Sequence, residues 1–191
     1  MSSHYWADTV RDTADLEHIL ALQRENLRGD ISPEEEGSQG FVTVRHSLDT
    51  LQQMHALAPS IVVRQGQTPV AYALTMLREC QALCPELVPM FQLFETLEYQ
   101  GQPLTQARFY VMGQICVGKA HRGQGLFDQL YHHHRERYRP RFDLLLTEVA
   151  TRNRRSLRAH ERVGFQTVHT YRDALEEWAV ILWDWRTPSA T

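Results

Sequence analysis

A basic, glycine-rich turn joins an apolar run to a helical pattern in this chain. It reads Ile115-Cys116-Val117-Gly118-Lys119-Ala120-His121-Arg122-Gly123-Gln124-Gly125-Leu126-Phe127. The free N–H groups at the start of a helix point at a bound anion, and the helix dipole favours negative charge there. Gly123 and Gly125 let the backbone approach a phosphate without an intervening Cβ, and Arg122 adds a permanent charge with a fork that matches phosphate. The turn therefore predicts a site for a phosphorylated ligand.

A second segment carries candidate polar groups between a strand and a helix. Residues 142–149 read as a buried strand, with Glu148 near its end. Asn153 suits the N-cap of the helix that follows, and Gly164 suits the left-handed residue that ends it. Phe165 then stands where a residue just past the cap packs back on the last turn. This order predicts a buried strand that ends in a carboxyl and is followed by a capped helix.

Together the two segments resemble the GNAT acyltransferase superfamily. Residues 122–127, Arg-Gly-Gln-Gly-Leu-Phe, are similar to its signature Q/R-x-x-G-x-G/A, except that Phe127 stands where the family usually has glycine or alanine. Residues 153–165 are similar to its element N-x-x-[SA]-x-x-x-[YH]-x-x-x-G-F. The two motifs follow the family order, and the resemblance covers about residues 60–185.

The resemblance implies a mixed α/β fold: a central, mostly antiparallel, twisted sheet of about six to seven strands flanked by helices. The sheet would be splayed between the strand ending at Val117 and the strand ending at Glu148, and acetyl-CoA would lie in the splay. The backbone of residues 115–117 would pair with the pantetheine like an added strand. The implied cofactor contacts are Ile115, Cys116, Val117, Arg122, Gly123, Gln124, Gly125, Leu126, Phe127, Asn153 and Ser156.

Glu148 and His160 are the candidate catalytic residues for acyl transfer to an amine. An amine with a pKa of about 10.4 is almost entirely protonated at neutral pH, so a nearby base is needed. Burial would raise the pKa of Glu148 toward a useful value, whereas the alternative is a surface carboxylate or a partner for an arginine. His160 falls where the family commonly has a tyrosine that protonates the leaving thiolate, and an imidazolium could do this near neutral pH. The alternative is a histidine that only packs or contacts the cofactor.

We expect an N-acyltransferase that uses acetyl-CoA by direct attack in a ternary complex. Cys116 has no clear base partner, and a buried cysteine is usually inert. The main rival is a non-catalytic acyl-CoA-binding or sensing module of the same fold, which the off-pattern Phe127 and His160 leave open. A weaker rival is another phosphate-ligand protein built on the same turn. The acceptor stays open between a small-molecule amine and a peptide amine, and a homodimer is left open too.

The amino-acid composition narrows the classes of protein and partner that remain. The 191 residues, 42% hydrophobic and 23% charged, predict one globular domain over residues 1–191. The net charge of −3 gives no reason to expect nucleic acid or an anionic membrane as a partner. No apolar run approaches the roughly 20 residues of a membrane span. Three cysteines fit a reducing, cytoplasmic location, and Cys80 and Cys84 lack a second ligand pair, so no metal is expected.

The elements that must position these groups follow from the hydrophobic pattern. Strands are predicted at residues 5–10, 61–63, 70–74, 108–118, 142–149 and 178–185. Helices are predicted after a cap at residue 12 or 13, from 32, at 47–58, from 126 and at 153–163. Residues 84–99 carry a helical apolar stripe that Pro89 interrupts; it either packs in the core or forms a lid beside the acceptor.

Overall fold

The computed structural model describes residues 4–28, 41–174 and 176–186 and has a mixed α/β architecture. Its elements are β1 (Tyr5–Thr9), α1 (Thr13–Asn26), α2 (Leu48–Leu57), β2 (Ile61–Gln65), β3 (Thr68–Met76), α3 (Val88–Thr96), β4 (Glu98–Tyr99), β5 (Gln102–Pro103), β6 (Phe109–Val117), α4 (Leu126–Tyr138), β7 (Leu144–Ala150), α5 (Arg154–Val163), β8 (Gln166–Arg172) and β9 (Glu177–Asp184). The helix predicted from residue 32 lies outside the described residues.

One central sheet holds seven strands in the order β1-β2-β3-β6-β7-β9-β8, and β4 pairs with β5 separately. Every neighbouring pair in the central sheet is antiparallel except β6 with β7. The expectation of a mostly antiparallel sheet flanked by helices is confirmed. Strand β8 was not predicted, because it lies at the sheet edge with largely polar, exposed residues and lacks a clear apolar alternation.

The pairing between β6 and β7 covers only part of each strand. Phe109–Val111 pair with Leu144–Leu146. Beyond these residues β6 continues beside β3 as far as Val117, and β7 continues beside β9 as far as Ala150. The two strands therefore part and leave a cleft between them. Glu148 lies two residues before the end of β7, not at its end as predicted.

A bulge bends β6 where this cleft begins. Met112 pairs with Thr75 and Ile115 pairs with Ala73, so two residues of β6 lie opposite one residue of β3. A bulge of this kind breaks the regular ladder and re-aims the peptide groups at the bend. The bulged residues, Gly113 and Gln114, line the innermost end of the cleft.

The helices beside the cleft begin and end at the predicted signals. The Asp12 side chain caps α1 by accepting the Asp15 N–H at 3.0 Å. The Asn153 side chain caps α5 by accepting the Ser156 N–H at 3.1 Å. Gly164, with φ at +125°, ends α5. These local caps fix the places at which α1 and α5 meet the cleft.

The segment between β3 and β6 packs into the core. Pro89 lies in the first turn of α3, where its missing N–H removes no helical hydrogen bond, so it starts this helix instead of interrupting it as predicted. Met90, Phe91 and Phe94 are buried. Core packing is therefore the interpretation confirmed for the apolar stripe. Within the described ranges, residues 84–106 contribute nothing to the two cleft cavities defined below.

A buried arginine of β2 joins this strand to β1, to α1 and to the β2–β3 turn. Arg64 is 1% exposed and donates to both carboxylate oxygens of Asp15, at 2.8 and 2.6 Å. Its Nε donates to Asp8 Oδ2 at 3.0 Å. Its other two N–H groups donate to the carbonyl oxygens of Gln67 and Thr9. All five guanidinium N–H groups thus have acceptors, as a buried cation requires.

Candidate active site

The glycine turn has the geometry of an anion cradle. Gly123 and Gly125 have φ angles of +76° and +74°, which side-chain-bearing residues rarely adopt. Helix α4 begins at Leu126 without a side-chain cap, so no side chain competes with an anion for its first N–H groups. Arg122 stands beside the turn and donates to Asn26 Oδ1 at 2.6 Å. The turn thus combines helix N–H groups with a fixed positive charge.

A cavity of about 430 Å³ opens beside this turn, and we name it the outer cavity. It brings together ten of the predicted cofactor contacts: Ile115, Cys116, Val117, Arg122, Gly123, Gly125, Leu126, Phe127, Asn153 and Ser156. Arginines of α5 line it as well: Arg155, Arg158 and Arg162. Gln124, the remaining predicted cofactor contact, is exposed and does not line the outer cavity.

The backbone of β6 presents alternate residues to the cleft. The Gly118 N–H donates to the Val70 carbonyl at 2.9 Å, so the peptide groups of Gly118 point toward β3. Main-chain groups alternate in direction along a strand, so those of Cys116 also point toward β3, whereas those of Ile115 and Val117 point into the cleft. Main-chain contacts to a ligand are therefore expected from Ile115 and Val117, while Cys116 lines the outer cavity between them. Its thiol faces α1, and burial raises its pKa to about 12.

A second cavity of about 100 Å³, the inner cavity, lies toward the point where β6 and β7 meet. It shares Phe41, Val42, Ile115, Asn153 and Ser156 with the outer cavity, so the two are parts of one cleft. Glu148 and His160 line the inner cavity only. The cleft therefore joins a cationic end at the glycine turn to an end that contains a carboxyl and an imidazole.

Glu148 is the acidic side chain that lines the inner cavity. Burial raises its pKa from the ordinary 4.5 to about 7, a hydrogen bond from Tyr171 opposes this rise, and the nearby charge of Asp173 adds to it. The Tyr171 hydroxyl donates to Glu148 Oε2 at 2.6 Å. A carboxyl that titrates near neutral pH can take up and release protons under ordinary conditions. This is the chemical capacity that a base for amine attack requires.

His160 is held neutral, unlike the imidazolium that was expected. Its Nδ1 lies 2.8 Å from the Ser156 carbonyl oxygen, which can only accept, so Nδ1 carries the proton. Its Nε2 therefore accepts from the Tyr131 hydroxyl at 2.6 Å. The side chain is 1% exposed, and burial lowers its pKa from 6.5 to about 4. These contacts do not support the expected acid role, because the one proton of the neutral imidazole lies on Nδ1 and is bonded to the Ser156 carbonyl, while Nε2 carries none.

Phe127, which departs from the usual glycine or alanine, packs against this histidine. Its ring meets those of Tyr131 and His160 edge to face, with centroid distances of 5.1 and 5.0 Å. Edge-to-face pairs are favourable because the positive ring edge meets the negative face. Phe127 therefore helps to fill the wall between α4 and α5 while still lining the outer cavity.

An ion cluster lies beside the cleft and contacts one of its lining residues, Phe41. Glu176, from the β8–β9 turn, bonds Arg28 and Arg152 at 2.8 Å each. The same two guanidinium groups lie over the Phe41 ring, 5.6 and 4.8 Å from its centroid. Phe41 lines both cavities, so the cluster borders the cleft through this ring; we name Arg28, Phe41, Arg152 and Glu176 the clamp. Charged and cation–π contacts together fix the position of Phe41.

Sequence reasoning missed the clamp and Tyr171. Arg28, Phe41, Arg152 and Glu176 come from four separate segments, and no local pattern links them. A usable signal existed for Tyr171, because the Thr-Val-His-Thr-Tyr run 167–171 has the β-branched and aromatic composition of a strand.

The described residues hold no candidate metal centre. No group of three or more histidine, cysteine, aspartate or glutamate side chains among them is arranged to hold a metal ion. The three cysteines are free thiols, all of them buried. Over residues 4–28, 41–174 and 176–186, no helix combines the length and apolar character that crossing a membrane requires.

Comparisons with known proteins agree with this architecture. The model of the acetyltransferase (GNAT) family matches residues 24–165. No curated protein sequence matches the chain significantly. The ribosomal-protein-S18-alanine N-acetyltransferase from Escherichia coli aligns with a TM-score of 0.63 and 14% identity, over 95% of this chain and 94% of its own. The NatC complex bound to Gag peptide and CoA aligns with a TM-score of 0.62 and 12% identity, over 95% of this chain and 98% of its own. A chimera of the spermidine N-acetyltransferase SpeG from Vibrio cholerae and hSSAT aligns with a TM-score of 0.58 and 12% identity, over 96% of this chain and 97% of its own.

Proposed function

Because the chain belongs to the GNAT acetyltransferase family, we propose that it transfers an acetyl group from acetyl-CoA to an amine by direct attack in a ternary complex. One observation carries this proposal. A single cleft joins a phosphate-type cradle at Gly123 and Gly125 to the half-buried carboxyl of Glu148. The first end suits the nucleotide part of acetyl-CoA, and the second suits proton removal from an amine.

The lining of the outer cavity fits acetyl-CoA in three respects. The uncapped start of α4 and Arg122 suit a pyrophosphate. The main-chain groups of Ile115 and Val117, which point into the cleft, suit the amides of pantetheine in the manner of an added strand. The α5 arginines add positive charge to the same wall. Acetyl-CoA would supply the acetyl group as a thioester.

In this proposal Glu148 accepts the proton of the attacking amine, directly or through water. His160 has a supporting role: its bond to the Ser156 carbonyl orients the ring within α5, and its bond to Tyr131 joins α5 to α4. We do not assign the protonation of the departing thiolate to His160. The acceptor is an amine of a small molecule or a peptide, and the related structures include acetyltransferases named for both kinds.

The direct test is thiol release from acetyl-CoA in the presence of an amine panel. The panel should contain polyamines, amino acids and peptides with a free N-terminus. Amine-dependent thiol release would support the proposed transfer. Binding of acetyl-CoA without release for any amine would favour the non-catalytic acyl-CoA-binding module. Equal competition by plain nucleotides would favour a different phosphate ligand.

We expect acetyl-CoA to stabilise the protein, and Gly125→Glu to abolish this effect. A ligand at 100 times its Kd that binds only the folded state stabilises it by about 2.7 kcal/mol. Glutamate at residue 125 would place a negative charge at the anion cradle. Thermal unfolding with and without millimolar acetyl-CoA measures the effect.

Gly101→Glu is the matched control for Gly125→Glu. Gly101 has a φ of +77°, close to the +74° of Gly125, and a Cβ at either residue meets no atom within 4 Å. Both variants therefore carry the same backbone strain, but Gly101 lies in the β4–β5 turn. The Gly101 variant should keep the full shift in Tm. A shift retained in Gly125→Glu would place the ligand elsewhere.

The clamp gives a separate prediction on substrate binding. Glu176→Gln should raise the KM for acetyl-CoA about 5- to 10-fold, because it removes the carboxylate charge that both Arg28 and Arg152 contact and so weakens the position of Phe41 by about 1 kcal/mol. Steady-state kinetics measures this change, with a smaller effect expected on kcat. Glu177→Gln is the control, since Glu177 bonds the exposed Thr151 hydroxyl instead. Equal KM values in all three proteins would mean that the clamp does not shape the cleft.

A further inference from the structure

We propose that Tyr171 is the positioning residue of Glu148: its hydroxyl holds the carboxylate in place and in the form that accepts a proton. The hydroxyl donates to Glu148 Oε2 at 2.6 Å. A carboxylate has two oxygens, and each can accept more than one hydrogen bond. With Oε2 held by Tyr171, Oε1 is the oxygen available to an amine or a water in the inner cavity. The catalytic part of this inference rests on the proposed function; the coupling of the two side chains does not.

The sheet register brings the two side chains together although they lie on strands that do not pair. Glu148 of β7 pairs with Val180 of β9. Tyr171 of β8 pairs with Trp178 of β9. Residues 178 and 180 are two apart and lie on one face of β9, so Glu148 and Tyr171 share that face. A long phenol can span the intervening strand, and the pairing of β8 with β9 fixes its direction.

Three influences act on the Glu148 carboxyl, and Tyr171 is the one that favours the charged form. Burial and the charge of Asp173 both favour the neutral acid, whereas the phenol hydrogen bond favours the carboxylate. Asp173 is itself held in the β8–β9 turn by the indole N–H of Trp178 at 2.9 Å. The histidine that lines the same cavity, His160, is neutral and adds no charge. Burial is the largest influence on the pKa of Glu148, and the opposed effects of Tyr171 and Asp173 adjust it.

Tyr171→Phe removes the hydroxyl alone, because the ring keeps its stacking on His169, at a centroid distance of 6.4 Å. Removing the donor should raise the pKa of the Glu148 carboxyl by about one unit. Carbon-13 NMR of the carboxyl, assigned by its loss in Glu148→Gln, measures this titration without any substrate. Asp173→Asn should move the same titration downward, because it removes a negative charge and keeps an oxygen that can accept.

Tyr99→Phe is the control for loss of a phenol hydroxyl beside β8. The Tyr99 hydroxyl accepts from Gln166 at the other end of β8, so the Glu148 titration should not change. In the active enzyme, the acidic limb of the pH–rate profile should move upward in Tyr171→Phe by the same amount as the carboxyl pKa. In a Glu148→Gln background, Tyr171→Phe should cause no further loss of rate.

The outcomes separate this inference from the proposed function. An unchanged Glu148 titration in Tyr171→Phe would overturn the inference, whatever happens to the rate. A further loss of rate in the Glu148→Gln background would also overturn it, because Tyr171 would then act independently of Glu148. A shifted titration in a protein that acetylates no amine would support the coupling and would count against the proposed function alone.

Discussion

Replacing Glu148 by glutamine is expected to lower the rate of acetyl transfer about 10²- to 10⁴-fold at neutral pH, the usual contribution of a positioned acid or base. Glutamine has nearly the same size and can still accept from Tyr171, but it cannot take up a proton. The pH–rate profile should lose the limb near pH 7 that belongs to this carboxyl. Steady-state kinetics over a range of pH, with saturating acetyl-CoA, measures both effects.

The affinity for acetyl-CoA should barely change in this variant, because Glu148 lines the inner cavity and not the outer one. Glu161→Gln is the control: Glu161 is an exposed residue of α5, and its replacement should leave the rate unchanged. A normal rate and a normal pH profile in Glu148→Gln would assign the base to water or to another residue, leaving proximity as the main source of rate.

The same substitution should stabilise the protein at high pH. Folding raises the pKa of Glu148 from 4.5 to about 7, so its contribution to stability is complete below pH 4.5 and is lost as the pH rises through about 7. A pKa difference of one between the folded and unfolded states corresponds to about 1.4 kcal/mol, so the neutral glutamine should be more stable than wild type by about 1–3 kcal/mol at pH 8. Urea unfolding at pH 5 and pH 8 measures this difference. A gain that is equal at both pH values would contradict burial of the charge.

Replacing Arg64 by alanine should cost about 3–5 kcal/mol of folding free energy, because it leaves the buried carboxylate of Asp15 without its partner. Arg64 satisfies two carboxylates and two backbone carbonyls from β1, α1 and the β2–β3 turn, and solvent cannot readily replace it. Denaturant unfolding at pH 7 measures the loss. A change below about 1 kcal/mol would mean that water reaches this cluster.

Arg108→Ala is the matched control, because Arg108 makes the same two-point contact with Asp143 at the surface. Its effect should be much smaller, since solvent screens the pair and hydrates either partner alone. A double variant, Arg64→Met with Asp15→Leu, should recover part of the loss by replacing the pair with apolar groups. This recovery would identify the unpaired charge as the cause.

The loss in Arg64→Ala should also depend on pH. Burial acts to raise the pKa of Asp15, but the hydrogen bonds from Arg64 and from the Arg11 backbone outweigh it and hold the pKa below 3.8. A carboxyl with a lowered pKa contributes stability above its unfolded pKa and loses it as the pH falls through the folded one. The difference between wild type and variant should therefore shrink below about pH 4.

The amino-acid sequence by itself determined the parts of this protein that depend on neighbours in the chain. The turn at Gly123 and Gly125, the cap at Asn153 and the end of α5 at Gly164 all follow from short-range backbone requirements. Each could be located in advance, because a cap or a left-handed residue acts within about four residues of itself. The order of these elements, together with the family resemblance, was enough to predict a splayed sheet with a cleft at β6 and β7.

Only the tertiary structure decided the chemical state of the side chains in that cleft. His160 is neutral because it is buried and because Tyr131, 29 residues away, donates to it. The pKa of Glu148 is about 7 because burial raises it and the hydrogen bond from Tyr171, 23 residues away, opposes the rise. The clamp joins Arg28 to Glu176 across most of the chain. Protonation depends on burial and on contacts between distant segments, and neither is encoded in the local pattern of residue types.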